Sequence, residues 1–133
     1  MVAEEKLAHD VYVTLGDEFS LRVFDNIARA ELTHMQAVRG LLETYGIKDP
    51  TVGDKVGVFD DPKLQALYDS LIEKGLESRS AALEVGVQIE EMDIADLKEL
   101  LKENTAVDVE RVLNSLLRGS KRHLNAFENN LGR

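Results

Sequence analysis

Hydrophobic residues recur along most of the chain at spacings of three and four, which is the pattern of helices that bury one face. The first such stretch runs from about Val2 to Leu15, and Gly16 is expected to end it in a left-handed cap. The second stretch begins after Ser20, a residue suited to an N-cap, and continues to Tyr45. The pattern therefore predicts two consecutive helices joined by a short turn.

The pattern changes in residues 46–75, where glycines and two Asp-Pro pairs interrupt the helical periodicity. One short helix is predicted within this connector, from Lys63 to Lys74. The third long helix is expected to begin at Ser78 or Ser80, and the fourth near Asp108.

The lengths of these connections favour one arrangement of the helices. Two helix pairs are joined by a single connector that is long enough to cross the bundle, whereas a simple up-and-down bundle uses three short loops. A chain of 133 residues can form one domain with a buried core. The sequence thus predicts an all-α protein in which residues 1–133 form one antiparallel four-helix bundle. A long crossover between helices 2 and 3 contains a short extra helix.

The composition supports a helical protein and narrows the choice of partners. Hydrophobic residues make up 44% of the chain and charged residues 31%, and only 2 prolines occur. The net charge of -9 would repel nucleic acids and anionic membranes, so neither is expected as a partner. The chain contains no cysteine, which excludes disulfides, thiolate zinc sites and iron–sulfur clusters.

The sequence also bears on where the protein is found. No stretch approaches the roughly 20 apolar residues that cross a bilayer, and the first residues lack the basic and apolar regions of a signal peptide. We therefore expect a soluble, cytoplasmic protein. Because the chain starts almost inside its first predicted helix, the sequence is also consistent with a longer natural precursor.

Two of the three histidines fall on the inner, apolar faces of their predicted helices. His34 follows Glu31 by three residues, so the two side chains lie one helical turn apart and face the same way. Glu31 continues the apolar stripe that contains Ile27, and we therefore expect it in the interior. His123 lies one turn after Ser120 in a similar stripe of the fourth helix.

The other two long helices also turn carboxylates inward, Glu5 on the first helix and Glu90 and Asp93 on the third. A lone buried carboxylate costs several kcal/mol or becomes protonated, so several together need a compensating positive charge. Lysine and arginine are absent from these inner stripes. The pattern therefore indicates metal cations as the counter-charge.

Two of these positions have a competing neighbour. Glu4 also lies near the apolar face of the first helix, but Glu5 is favoured by its spacing to Tyr12, a candidate to orient a ligand carboxylate. Glu91 competes with Glu90, but it leaves the heptad pattern and is expected in solvent.

Four further residues have simpler interpretations. His9 is expected at the protein surface, on the flank of the first helix. Met35 and Met92 are expected to fill the core rather than to bind haem. Asp96 is either an acceptor for His123 or a solvent-exposed residue, and the sequence does not distinguish the two.

The candidate residues occur in four motifs, Glu5-x-x-Ala8-x-x-x-Tyr12, Phe24-x-x-Ile27-Ala28-x-x-Glu31-x-x-His34, Glu90-x-x-Asp93 and Leu116-Leu117-x-x-Ser120-x-x-His123. In this order they resemble the ligand motifs of the rubrerythrin branch of the ferritin-like superfamily. Three further segments are Glu4-Glu5-Lys6-Leu7-Ala8-x-Asp10-Val11-Tyr12, Gly57-Val58-Phe59 and Ile89-Glu90-Glu91-Met92-Asp93-Ile94-Ala95-Asp96-Leu97. With them, nearly the whole chain resembles DUF2202, a ferritin-like family of archaeal and bacterial proteins.

The resemblance implies a ferritin-like bundle with a dinuclear site for two divalent ions, with iron as the first expectation and manganese or zinc as alternatives. One departure is Ser120, where the rubrerythrin pattern has a glutamate. Asp93 is implied as the replacement, since rubrerythrin-like proteins carry an extra carboxylate at that offset; without it the site would hold one ion, or two weakly. The implied metal ligands are Glu5, Glu31, His34, Glu90, Asp93 and His123.

The sequence is consistent with three functions. The first is an oxidoreductase linked to oxygen or peroxide, which would need an external electron donor because the sequence lacks the cysteine-bearing domain that rubrerythrins attach. The second is a metal store or carrier without turnover, and the third a metal-free helical interaction module. Small ferritin-like bundles often pair, so a homodimer is a further expectation.

Overall fold

Five helices account for most of the chain in a computed structural model that describes residues 2–51, 53, 55–103 and 106–133. They are α1 (Val2–Phe19), α2 (Arg22–Thr44), α3 (Pro62–Gly75), α4 (Arg79–Leu101) and α5 (Val107–Asn130). Those residues contain no β-strand, and the prediction of an all-helical bundle is confirmed. Within the same residues, no helix is long and apolar enough to cross a membrane.

The helices pack as antiparallel neighbours. Only residues 20–21 separate α1 from α2, so the chain reverses between them. The ring of Phe24, near the start of α2, lies 5.4 Å from that of Phe127, near the end of α5. Farther along, the His34 ring of α2 lies against Gly119 of α5. Helix α5 therefore runs opposite to α2.

Helix α4 also runs opposite to α5. Near its start, Gly86 lies against the ring of Phe127, and one turn later Glu90 approaches His123. Because α4 and α2 both run opposite to α5, they run parallel to each other. The segment between them must therefore pass from one end of the bundle to the other, as the predicted long crossover does, and it contains α3.

The end of α1 differs from the prediction. Gly16 does not end the helix, which continues to Phe19, and the left-handed residue is Ser20, with a φ of 53°. Gly16 has another role, because a Cβ atom there would lie 3.0 Å from the Cβ of Phe24. The glycine thus allows α2 to pack closely. The predicted N-cap at Ser20 is also wrong, since Leu21 occupies that position and makes no side-chain cap.

The other helix starts agree better with the sequence. Asp61 caps α3 by accepting a hydrogen bond from the backbone N–H of Lys63, with a proline at the first position. Ser78, rather than Ser80, caps α4. Helix α5 begins at Val107, next to the expected Asp108. The predicted short helix in the crossover is confirmed as α3.

Apolar side chains form two clusters, one on each side of a layer of ionisable residues. The first cluster includes the rings of Tyr12, Phe24 and Phe127, whose centroids lie 5.2 to 5.9 Å apart. Met35 is buried in the second cluster as predicted. The prediction for Met92 is wrong because its side chain is 37% exposed. It lies two residues after the buried Glu90, which turns it about 200° around α4, away from the interior.

A buried ion pair joins α1 to the crossover. The ammonium of Lys6 lies 2.5 Å from Asp10 Oδ2 and donates hydrogen bonds to the backbone carbonyls of Lys55 and Val58, at 2.9 and 2.8 Å. The same ammonium sits 4.1 Å from the centroid of the Phe59 ring. Lys6 is thus buried on the side that the crossover covers, where its partners satisfy its charge.

We predict that Lys6→Met lowers the free energy of unfolding by about 3 kcal/mol, because the substitution leaves the Asp10 carboxylate buried without its cation. The matched control is Lys102→Met, which removes an exposed lysine paired with Glu99 and should cost less than about 1 kcal/mol. Urea denaturation followed by circular dichroism measures both. Equal effects of the two substitutions would show that the buried ion pair does not stabilise the contact between α1 and the crossover.

Candidate metal centre

The ionisable layer between the two apolar clusters receives side chains from all four long helices. Glu31 and Glu90 are fully buried, and Glu5 is 2% exposed. Seven buried or half-buried polar residues form the layer, Glu5 from α1, Glu31 and His34 from α2, Glu90 and Asp93 from α4, and Ser120 and His123 from α5. Acids and imidazoles that are far apart in the sequence therefore meet in the interior.

Glu31 occupies the centre of this layer, between the two histidines. Its Oε2 lies 3.5 Å from Nδ1 of His34, and its Oε1 lies 3.0 Å from Nδ1 of His123. The two imidazole rings stack with centroids 5.7 Å apart and an interplanar angle of 28°. One carboxylate thus presents a separate oxygen to each of two imidazoles.

Two further carboxylates stand on opposite sides of this arrangement. Glu5 Oε2 lies 3.6 Å from Nδ1 of His34, and Glu90 Oε1 lies 3.6 Å from Nδ1 of His123. The hydroxyl of Tyr12 donates a 2.6 Å hydrogen bond to the other oxygen of Glu90. Tyr12 therefore orients a carboxylate of the layer, Glu90 rather than the Glu5 of its own helix.

The residues form two triads whose potential ligand atoms all lie within 4.8 Å of one another. One triad is Glu5, Glu31 and His34, and the other is Glu31, Glu90 and His123. Glu31 belongs to both. Oxygen and imidazole donors at this spacing could hold a divalent cation in each triad, with Glu31 bridging the two.

Asp93 and Ser120 are buried in the same layer but belong to neither triad. Asp93 lies one turn after Glu90 and lines a cleft that also includes Glu4. Asp93 Oδ2 and Ser120 Oγ find no hydrogen-bond partner in the described part of the chain. The structure thus places Asp93 beside the triads rather than within them.

The structure distinguishes the adjacent glutamates that were alternative ligands in the sequence. Glu5 joins a triad whereas Glu4 does not, and Glu90 is buried whereas Glu91 is exposed. Asp96 is exposed, which agrees with the second of its two interpretations.

His9 is less exposed than the surface position predicted for it. Its side chain is only 20% exposed, because Nδ1 lies 2.8 Å from Oδ1 of the buried Asp10. This histidine therefore belongs to the Lys6–Asp10 contact with the crossover and stands apart from the ionisable layer.

Gly119 is a residue of the site that the sequence reading missed. A Cβ atom at this position would lie 2.6 Å from Cε1 and 2.7 Å from Nε2 of His34. Only glycine leaves room for the imidazole in its present place. A glycine inside a strongly helical stretch, directly before Ser120, was the available signal.

Several ligand-type atoms of the layer are buried without a properly aligned hydrogen bond. They are close enough to interact electrostatically, yet burying an unsatisfied polar atom costs about 1–3 kcal/mol. These atoms are Glu5 Oε2, both oxygens of Glu31, Glu90 Oε1, and Nδ1 of His34 and His123. The residues that carry these atoms form the two triads, where bound cations could satisfy them.

The pKa values in the layer reflect burial and mutual charge. Burial, reinforced by Glu31, raises the pKa of Glu5 from 4.5 to about 8. Burial alone would raise the pKa of Glu31, but Glu5, His123 and His34 together lower it to about 2. Burial opposes the charged form of both histidines, yet contacts with carboxylates raise the pKa of His34 to about 10 and that of His123 to about 9. Protons thus supply positive charge that cations could replace.

Burial and neighbouring charges also shift the pKa values of Asp93 and Glu90. Burial, together with the neighbouring carboxylates Glu5 and Glu90, raises the pKa of Asp93 well above its usual range. Burial also raises the pKa of Glu90, against the opposing influence of His123.

We predict that chelator-treated protein loses stability as the pH rises from 6.5 to 9. Glu5 ionises near pH 4.5 when unfolded but near 8 when folded, so its ionisation destabilises the fold across that interval. Protonation of His34 and His123 stabilises the fold fully below pH 6.5, and this contribution disappears as the pH rises through about 9 and 10. Both effects have the same sign. The melting temperature should fall by about 5 °C or more, at about 4 °C per kcal/mol.

The matched variants for this experiment replace histidines. His34→Gln should flatten the pH dependence, whereas His9→Gln, at the histidine outside the layer, should retain it. A melting temperature of the unsubstituted protein that stays constant or rises over the interval would contradict the assigned electrostatics.

Comparison with known proteins places this chain in a family. It is 48% identical over 127 residues to the uncharacterised protein MJ0754 of Methanocaldococcus jannaschii, which covers 96% of this chain and 69% of that protein. It is also similar to the crystal structure of the hypothetical protein MJ0754 from Methanococcus jannaschii, with a TM-score of 0.95 and 47% identity over 99% of this chain and 77% of that chain. Residues 1–133 match the family described as "Uncharacterized protein domain (DUF2202)". The chain therefore belongs to the DUF2202 family, as its motifs indicated.

Proposed function

We propose that this protein is a ferritin-like bundle that binds two divalent metal ions between its four long helices. The observation that carries the proposal is the position of Glu31, whose two oxygens face different histidines and which belongs to both triads. The parallel course of α2 and α4, with a crossover between them, supports the ferritin-like assignment. So does the origin of the ligands, a single glutamate on α1 and on α4 and a Glu-x-x-His unit on α2.

The chemistry of the donors fits first-row metals. Carboxylate oxygen and imidazole nitrogen suit iron, manganese and zinc, and no thiolate is available to favour softer ions. Two cations would neutralise carboxylates that otherwise need protons to remain buried. Binding requires that Glu5 be ionised and that both histidines be neutral, so the metal affinity should rise with pH.

The proposed roles follow from the contacts. Glu5 and His34 would bind one ion, Glu90 and His123 the other, and Glu31 would bridge them. Tyr12 holds Glu90 in place through its 2.6 Å hydrogen bond. Ser120 has a short side chain where the rubrerythrin pattern has a carboxylate, so α5 would provide His123 as a ligand without a second carboxylate.

A centre with few protein ligands supports oxidoreductase chemistry, because its ions could also bind a small molecule. Iron or manganese ions would supply redox reactivity toward dioxygen or peroxide, with electrons from a separate donor. The protein would orient the ligand side chains and enclose the centre between its two apolar clusters.

A metal carrier without turnover is the second candidate. It is favoured by the placement of Asp93 outside the triads, which leaves each ion fewer protein ligands and a weaker hold. Consumption of peroxide or oxygen by the iron-loaded, reduced protein separates the two candidates. A carrier would release its metal to a chelator readily and show no such consumption.

We predict that purified protein incubated with Mn²⁺ or Fe²⁺ binds two ions and that Glu31→Ala weakens the binding of both by at least about 100-fold. Losing a residue that only orients a ligand already costs about 10- to 100-fold. The control is Glu43→Ala, at an exposed glutamate of the same helix, which should leave the stoichiometry unchanged. Isothermal titration and elemental analysis measure the result. Absence of binding by the unsubstituted protein, or a Glu31→Ala variant that still binds two ions tightly, would refute the proposal.

We also predict that Gly119→Ala weakens metal binding by about tenfold or more, because the added methyl group displaces the His34 ring. Gly40→Ala is the matched control, since a Cβ there meets no atom within 4 Å and should stabilise the exposed helix by about 0.5–1 kcal/mol. Thermal melts confirm that both variants are folded before titration. Equal metal affinity in the two variants would show that the contact between Gly119 and His34 does not position a ligand.

A further inference from the structure

A cleft of about 430 Å³ lies beside the candidate centre, between α1 and the C-terminal half of α4. Five carboxylate residues line it, together with two leucines. These are Glu4 of α1, Asp93, Asp96 and Glu99 of α4, and Glu103 just beyond α4. Its volume is large enough for a hydrated cation, because one water occupies about 30 Å³ in the liquid.

The ionisable residues that line the cleft are all acidic among the described residues. No basic residue is among the described residues that line it. Glu99 is paired with Lys102 at 3.2 Å, but both side chains are largely exposed, so solvent screens that pair. A concave wall of carboxylates focuses negative potential and raises the local concentration of cations.

Asp93 connects this cleft to the centre. It is only 7% exposed, it lines the cleft, and its Oδ2 has no hydrogen-bond partner among the described residues. It also follows Glu90 by one helical turn, on the same face of α4. A buried acceptor without a donor, placed between a cleft and a group of ligand atoms, is suited to receive a cation.

We propose that this cleft is the uptake site through which divalent cations reach the buried centre, with Asp93 as the residue that passes them inward. The inference rests on the proposed metal-binding function and adds a second, transient cation site to it. The outer carboxylates Asp96 and Glu103 attract the ion from solvent, and Asp93 takes it up at the inner end.

The test measures the rate of cation uptake separately from the affinity. Metal-free protein is mixed with Co²⁺ in a stopped-flow instrument, and quenching of tyrosine fluorescence reports arrival of the ion beside Tyr12. Loss of this signal in Glu31→Ala assigns it to the buried centre. The test variant is Asp96→Asn/Glu103→Gln, which alters only exposed positions. The control is Glu18→Gln/Glu73→Gln, which makes the same change in net charge at exposed positions elsewhere.

We expect the cleft variant to take up Co²⁺ about tenfold more slowly than the control variant at low ionic strength. A tenfold change is at the lower end of the rate enhancements that electrostatic steering produces. The difference should shrink to about twofold in 0.5 M salt, where screening is strong. Equilibrium affinity should stay within about twofold in both variants.

Other outcomes overturn the inference in distinguishable ways. Equal uptake rates of the two variants would eliminate the uptake site but leave the buried centre intact. A lower affinity at an unchanged uptake rate would make the cleft part of the final ligand set instead. If the unsubstituted protein binds no cation at all, the proposed function fails together with the inference.

Discussion

Buried carboxylates repel one another, and the interior of this bundle is arranged around that repulsion. Glu31 and Glu90 are fully buried and Glu5 nearly so, within a layer that also contains two imidazoles. Proteins tolerate such groups when positive charge accompanies them or when protonation neutralises them. Protons on the two histidines supply part of this charge because neighbouring carboxylates raise their pKa values to about 10 and about 9, and burial raises the pKa of Glu5 to about 8. Divalent cations would take over this role with better geometry, because Glu31 already presents one oxygen to each side.

The rest of the fold serves to hold this layer in place. Two apolar clusters enclose it, and the Tyr12 ring belongs to one of them while its hydroxyl holds Glu90. Gly16 and Gly119 let helices approach closely where a methyl group would collide. The ion pair of Lys6 with Asp10 joins α1 to the crossover through hydrogen bonds to the backbone carbonyls of Lys55 and Val58. These contacts position the helices that carry the converging side chains.

The sequence predicted this arrangement as far as each helix could be considered alone. Periodicity located the helices, and the interruption of apolar stripes by acids located Glu5, Glu31, Glu90 and His123. Contacts between helices are harder to predict from the sequence. The sequence predicts a helix end at Gly16, because a glycine beside a polar residue gives the same pattern whether it ends a helix or leaves room for a neighbouring helix. Gly119 and the burial of Lys6 depend on partners that are distant in the sequence, which periodicity does not reveal.

The central claim is that two cations bind on either side of Glu31, and anomalous scattering tests it most directly. Crystals of protein incubated with Mn²⁺ or Fe²⁺ would be measured at the absorption edge of the metal. The account predicts two peaks, one among Glu5, Glu31 and His34, the other among Glu31, Glu90 and His123. A density map without peaks in this layer, or with metal bound only at surface carboxylates, would contradict it.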